Sequence, residues 1–356
     1  MKDNDLNNSG ELARGDEFPA VQQCGKGTKG IMEYLLVNLP FDSSASGDMV
    51  VALSDEEKNA FARCIHFFLQ ARYEEASAEA ERCMGSLHPE IRTFALMAHI
   101  LNNVALNNLE VVRKDFQAFQ EKVEHSENKR IAALNDIFRY VLSAFFHLGE
   151  KAAPIPPDNL AYCSEEARFY VLYAQSYALY LQQEYAQALG VAETALMMDA
   201  ERHPIICLYL NVMASMAAMS LSRFEQADRF FLDALKLAKP EGYIQPFVGH
   251  HGPLQGLVEK HIRDREPELY KMIAEKVMHF RRGWTEIHNP QSHDKVTNLL
   301  TPYEFALAMM AAKGKSNQEI ADYLHISINT VKAHLSTIFQ KLGITKRSEL
   351  KKYLVK

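Results

Sequence analysis

The chain has 356 residues, 47% hydrophobic and 24% charged, with a formal net charge of −6, an ordinary globular composition long enough for two domains or a domain and a repeat array. No apolar run approaches the roughly eighteen residues of a membrane-spanning helix, and the polar, acidic N-terminus does not read as a signal peptide. Five scattered cysteines, Cys24, Cys64, Cys83, Cys163 and Cys207, form no CxxC pair and read as reduced thiols of a cytoplasmic protein.

Residues 1–28 are rich in Asn, Asp, Gly and Gln and lack periodicity, which predicts a disordered arm. GKGTKG at 25–30 has the wrong spacing for a phosphate loop. Ile31 to Phe41 is apolar enough for a short helix packed on the body. From Ser54 onward the pattern is helical almost without interruption. Ser54 and Glu57 form a capping box, Phe61, Ile65, Phe68 and Leu69 give an apolar stripe, and His88-Pro89-Glu90 opens a third helix. Segments 107–123 and 126–148 continue the pairing. KAAPIPPDN then interrupts it, and helices resume near 163–182, 185–199, 204–220 and 224–238.

An internal echo runs through these helices. QARYEEASAEAERCM, QQEYAQALGVAETALMM and LSRFEQADRFFLDALKLA each open a helix on an aromatic residue and continue with alanines. The openings Tyr73, Leu109, Tyr185 and Phe224 are spaced close to multiples of one unit in the high thirties, as in a solenoid of helix pairs. The body resembles degenerate tetratricopeptide repeats, without their W-x2-L-G-x2-Y box. Tyr170, Tyr173, Tyr177 and Tyr180, at helical spacings of three and four, can share one wall of a groove; core packing explains most of such a stretch, and Tyr173, Tyr177 and Tyr180 are the candidate ligand contacts.

Glycines and prolines break EGYIQPFVGHHGPLQGLVEKHI at 241–262, and a last body helix follows over about 267–286. His250 and His251 are adjacent, with no third metal ligand at recognisable spacing. The cysteines have no nucleophile motif, and no Walker A sequence is present. No enzyme activity, catalytic residue, metal site or cofactor is expected.

The segment from Leu300 carries nine Lys or Arg against four Asp or Glu, net +5, which leaves the remainder at −11. A basic module on an acidic body suggests that the module alone meets phosphate. Thr301-Pro302 with Glu304, and Ser316 with Glu319, are capping boxes; Ser327 caps a third helix. Val331, Leu335, Ile338 and Leu342 follow a 3.6-residue period toward a core, and Gly343 stops the helix. The opposite face carries Asn329, Lys332, Ala333, Ser336 and Gln340. A short helix, a tight turn and a second helix with a polar face can enter a DNA major groove. Thr345 is placed to cap a fourth helix containing Leu350 and Leu354.

Leu300, Thr301, Glu304, Gly314, Ser316, Asn317, Glu319, Ile320 and Ala321, continuing through Leu324, Ser327, Thr330, Val331, Lys332, His334, Leu335, Ile338, Lys341, Leu342 and Gly343, carry a resemblance. The segment resembles the LuxR-type (NarL/FixJ-like) helix-turn-helix domain of bacterial transcription regulators. That resemblance implies double-stranded DNA as partner, with the positions of Lys332, Ala333 and Ser336 near base edges or phosphates. The candidate DNA-binding set is Asn317, Asn329, Thr330, Lys332, Ala333, His334, Ser336, Lys341, Lys346 and Arg347. The chain departs from the family at Tyr303, at Ala306 and in the short side chain of Ser336. The stretch 241–262 looks like the corresponding region of MalT-like regulators, here without their ATP-binding part.

The expected architecture is all-α: a disordered arm (1–28), a tetratricopeptide-like sensor or interaction domain (29–286), a linker (287–298) and a four-helix DNA-binding domain (299–356). The expected function is a transcription regulator whose body senses a small-molecule or protein effector. It would bind DNA as a homodimer through Leu350, Tyr353 and Leu354, with no membrane partner. The alternative is a protein-interaction scaffold whose DNA-binding domain is weak or covered by the body.

Overall fold

The structure, a computed structural model, describes residues 55–351 apart from 88, 124–128, 147–159, 164, 200–202 and 289–298. The predicted arm, the Ile31–Phe41 helix and the Ser54 cap lie outside the described residues. Every described element is helical. Among the described residues to 238, nine helices run in sequence: α1 (Asp55–Leu69), α2 (Tyr73–Met84), α3 (Pro89–Ala105), α4 (Leu109–Val123), α5 (Lys129–Phe146), α6 (Glu165–Leu181), α7 (Tyr185–Asp199), α8 (Pro204–Ser220) and α9 (Phe224–Ala238). Neighbours in sequence pack together from α1 to α4 and from α5 to α9, and α1 with α3, α3 with α5 and α6 with α8 also touch, as in a stacked array of helix pairs.

Four of the helix-to-helix turns are built alike. Ala71, Asn107, Gln183 and Ser222 each have a φ between 57° and 65°, two residues before the openings Tyr73, Leu109, Tyr185 and Phe224. In each turn the left-handed residue and its successor donate back to carbonyls of the outgoing helix, for example Gln183 N to Tyr180 O and Glu184 N to Leu179 O at 3.0 Å. This paired closure satisfies two of the carbonyls that a helix end leaves free. The alanines serve the packing, since Ala76, Ala80, Ala188, Ala192, Ala227 and Ala234 are fully buried. Helix α8 is buried on all sides, which is why its sequence is apolar all round.

After α9 the chain crosses back to the start of the array. Gly242 turns it with φ 66°, and Ile244 N donates to Leu69 O at 2.9 Å. Helix α10 (Gln245–Gly249) then packs on α1 and α8. Helix α11 (Pro267–His288) packs on α3, where a Cβ on Gly283 would lie 2.2 Å from the Val104 carbonyl oxygen, so only glycine admits this approach. Three further helices follow, α12 (Pro302–Ala312), α13 (Asn317–Leu324) and α14 (Ile328–Leu342). The fourth expected helix begins differently. A 3-10 turn over Arg347–Glu349 precedes it, with Lys346 rather than Thr345 at the cap position, and the Glu349 carboxylate accepts from both the Thr345 and Lys346 N–H groups.

Candidate nucleic-acid interface

The caps read from the sequence fix the three helices. The Glu304 N–H donates to Thr301 Oγ1 at 3.2 Å, and the Thr301 N–H returns a bond to Glu304 Oε2 at 2.8 Å. Ser316 and Glu319 repeat the exchange at 3.2 and 2.7 Å. Ser327 Oγ accepts from the Thr330 N–H at 3.0 Å. Between α13 and α14 the chain turns within three residues, with His325 left-handed at φ 54° and Gly343 closing α14 at φ 63°. Leu307, Met310, Ile320, Val331, Leu335, Ile338 and Leu342 form the shared core.

The outer face of α14 is open. Asn329, Thr330, Lys332, Ala333, Ser336, Thr337 and Gln340 are exposed. Lys346 and Lys351 add exposed cations beyond it. His334 is half-buried, its ring edge-on to Tyr303 at 5.1 Å. Three predicted contacts, Asn317, Lys341 and Arg347, are engaged within the domain: Asn317 Oδ1 accepts from Arg347 Nη1 at 2.6 Å, while Arg347 Nη2 donates to the Lys315 carbonyl. Lys341 donates to both Glu304 carboxylate oxygens, at 2.8 and 2.7 Å. Burial pushes the Glu304 carboxyl up, but the Lys341 ammonium and the Thr301 cap outweigh it and hold the group below its usual range.

The other side of the module sits on the body. Tyr323 donates to Asp228 Oδ1 at 3.1 Å and packs its ring, tilted, against Phe224 at 5.0 Å. Asp228 also accepts from Lys260 at 2.7 Å and pairs with His261 at 2.6 Å. Phe305 lies against Gly252, and Leu324 and Met310 against Gly256. Arg281 reaches the Leu300 carbonyl at 2.6 Å. Lys313 donates to the Tyr185 hydroxyl at 2.6 Å, and Lys315 bonds Ser222 Oγ. The sequence count of basic residues grouped these two lysines with the DNA-facing charge, whereas both face the body. Burial lowers Lys313 to about 8.

The remaining expectations divide. Tyr173 and Tyr177 line a cavity in the body with Tyr170 of the same stretch, together with Tyr209 and His250, which the sequence did not single out as ligand contacts. Tyr180 is not in that lining; it packs on Tyr185 and accepts from Ser220, beside Lys313. Leu350 is fully buried in the protomer's own core, which corrects its expected place in a dimer contact: the short closing turn draws it inward. Tyr353 and Leu354 lie outside the described residues.

No helix among the described residues is long and apolar enough to cross a membrane. No solved structure matches the chain. Residues 298–354 match the family of bacterial regulatory proteins of the luxR type. The capped helix-turn-helix, its open polar face and this match agree: residues 298–354 are a luxR-family helix-turn-helix domain, and the chain that carries it is a DNA-binding transcription regulator.

Proposed function

We propose that the helical body is the sensing half of this regulator, responding to a small molecule or partner protein, and that two protomers bind one operator. The observation that carries the reading is the orientation of the module. Its α12 and α13 surfaces rest on the body, while the α14 face with Asn329, Lys332 and Ser336 stays open. A scaffold that masked its DNA-binding surface would cover that face. A single helix-turn-helix spans one half-site, so a symmetric pair fits a palindromic operator.

A mobility-shift titration on a palindromic site, with sedimentation of the free protein, tests the reading. Lys332→Ala is expected to weaken operator binding by about 1–3 kcal/mol if the ammonium reads a base. Lys346→Ala is expected to weaken all sequences alike and to lower the salt slope by about one. Unchanged binding by Lys332→Ala across a salt series, with one protomer per site and no cooperativity, overturns the reading.

A further inference from the structure

The body holds a cavity of about 260 Å³ among α1, α3, α5, α6, α8, α10 and α11. No lining residue carries a formal charge, and most of the wall is aliphatic or phenylalanine. The exceptions are Cys64, Tyr170, Tyr173, Tyr177, Tyr209, Gln245 and His250.

The hydrogen bonds in this cluster are unbalanced. His250 Nδ1 lies 2.8 Å from the Pro246 carbonyl, which only accepts, so Nδ1 bears the proton and Nε2 is an acceptor. Tyr173 donates its hydroxyl to that Nε2 at 3.2 Å. Burial lowers His250 to about 4 and keeps the ring neutral. Gln245 Oε1 is taken by the Tyr73 hydroxyl. The cluster's one ring acceptor is therefore used. The hydroxyls of Tyr170 and Tyr209 and the Gln245 amide nitrogen have no hydrogen-bond acceptor among the described residues. Burial also raises both phenols above their usual range, so they remain donors at neutral pH.

Donors that face an apolar-walled cavity without a protein acceptor favour an occupant that supplies one, and the apolar wall favours an occupant that packs along it. One molecule can do both. A carboxylate is disfavoured because no cation lines the site. A helical or extended peptide exceeds the volume.

We propose that this cavity binds an uncharged, largely apolar small molecule, of one or two fused rings or similar bulk, that presents one carbonyl-type acceptor to Tyr170 and Tyr209. The proposal rests on reading the body as the sensing half and names the chemical class of its effector.

Three matched probes test it on the full chain by fluorescence titration: 6-propionyl-2-(dimethylamino)naphthalene, 2-(dimethylamino)naphthalene without the ketone, and 6-(dimethylamino)naphthalene-2-carboxylate. The ketone is expected to saturate at one per protomer with blue-shifted emission. The ketone-free amine should bind at least fivefold more weakly and the carboxylate not measurably. Tyr209→Phe should weaken the ketone severalfold and leave the ketone-free amine unchanged. Ile206→Trp, which fills the cavity, should abolish binding with the helical circular-dichroism signal retained. Absence of ketone binding, survival of it in Ile206→Trp, or equal loss of both probes in Tyr209→Phe overturns the proposal. Operator shift is read separately. Lost DNA binding with intact ketone binding sinks the regulator reading alone, and the reverse result sinks the cavity proposal alone.

Discussion

Lys341 shows that a residue's type does not reveal all of its task. Near the end of the helix with the open polar face, a lysine reads as a phosphate contact. Here its ammonium closes both oxygens of Glu304, the residue that also caps α12. One carboxylate thus joins the first and third helices of the module, and the cation it uses is partly withdrawn from solution. Glu304's depressed pKa gives its contribution a defined sign. The stabilisation is fully present above the usual carboxylate value of 4.5 and is lost as pH falls through the lower folded value. Lys341→Ala is expected to destabilise the protein at pH 7 by about 1 kcal/mol and to flatten that acid limb. It should change the salt slope of DNA binding less than Lys346→Ala does. Urea melts at pH 7 and pH 4 with a salt series on the operator check both. A slope change equal to that of Lys346→Ala would return Lys341 to the phosphate contacts.

The elements were legible where their signals are local. Thr301, Ser316 and Ser327 announce three helix starts because a cap and its partner sit three residues apart in sequence and in space. Helix openings at Tyr73, Leu109, Tyr185 and Phe224 were legible through the repeated aromatic or leucine and the alanines behind it. The turns before them were not. A left-handed residue is ordinarily announced by glycine, and these four positions are Ala, Asn, Gln and Ser. The array therefore carries a small conformational cost at each joint. Gln183 is exposed and its left-handed turn makes only backbone bonds to α6 at 3.0 Å, so the cost can be isolated there. Gln183→Gly is expected to stabilise the protein by roughly 0.5–1 kcal/mol, the left-handed penalty less the entropy that glycine loses. A calorimetric midpoint that falls instead would show that the glutamine side chain stabilises the turn.

The whole molecule joins two surfaces that no stretch of sequence shows together. The cavity draws its wall from seven helices, so no local pattern could mark it; the tyrosine spacing identified a face of α6 but not where that face leaves the cavity. Tyr173 and Tyr177 line it, whereas Tyr180, seven residues from Tyr173 and so about 10 Å along the helix, lies beside Lys313 of the DNA-binding module. A second route is as short. Gly249 and His250 line the cavity, and the same turn presents Gly252 to Phe305 and Gly256 to Leu324. An occupant that moves α6 or this turn thus acts on the surface that orients α14. A ligand can shift the module only by its differential affinity for two arrangements, and that coupling is reciprocal for binding. Saturating operator DNA is therefore expected to change the dissociation constant of the naphthyl ketone, and saturating ketone to change operator affinity by the same factor. Lys313→Ala removes the cation that Tyr185 and Tyr180 hold, without touching the cavity lining or the α14 face. It should leave each affinity measured alone within about twofold and bring the coupling factor toward one. Equal coupling in wild type and Lys313→Ala would exclude the α6 route and leave the 249–256 turn, testable by Gly252→Val against Phe305. Independent binding of ketone and DNA in the wild type would show that the two surfaces, though adjacent, do not communicate.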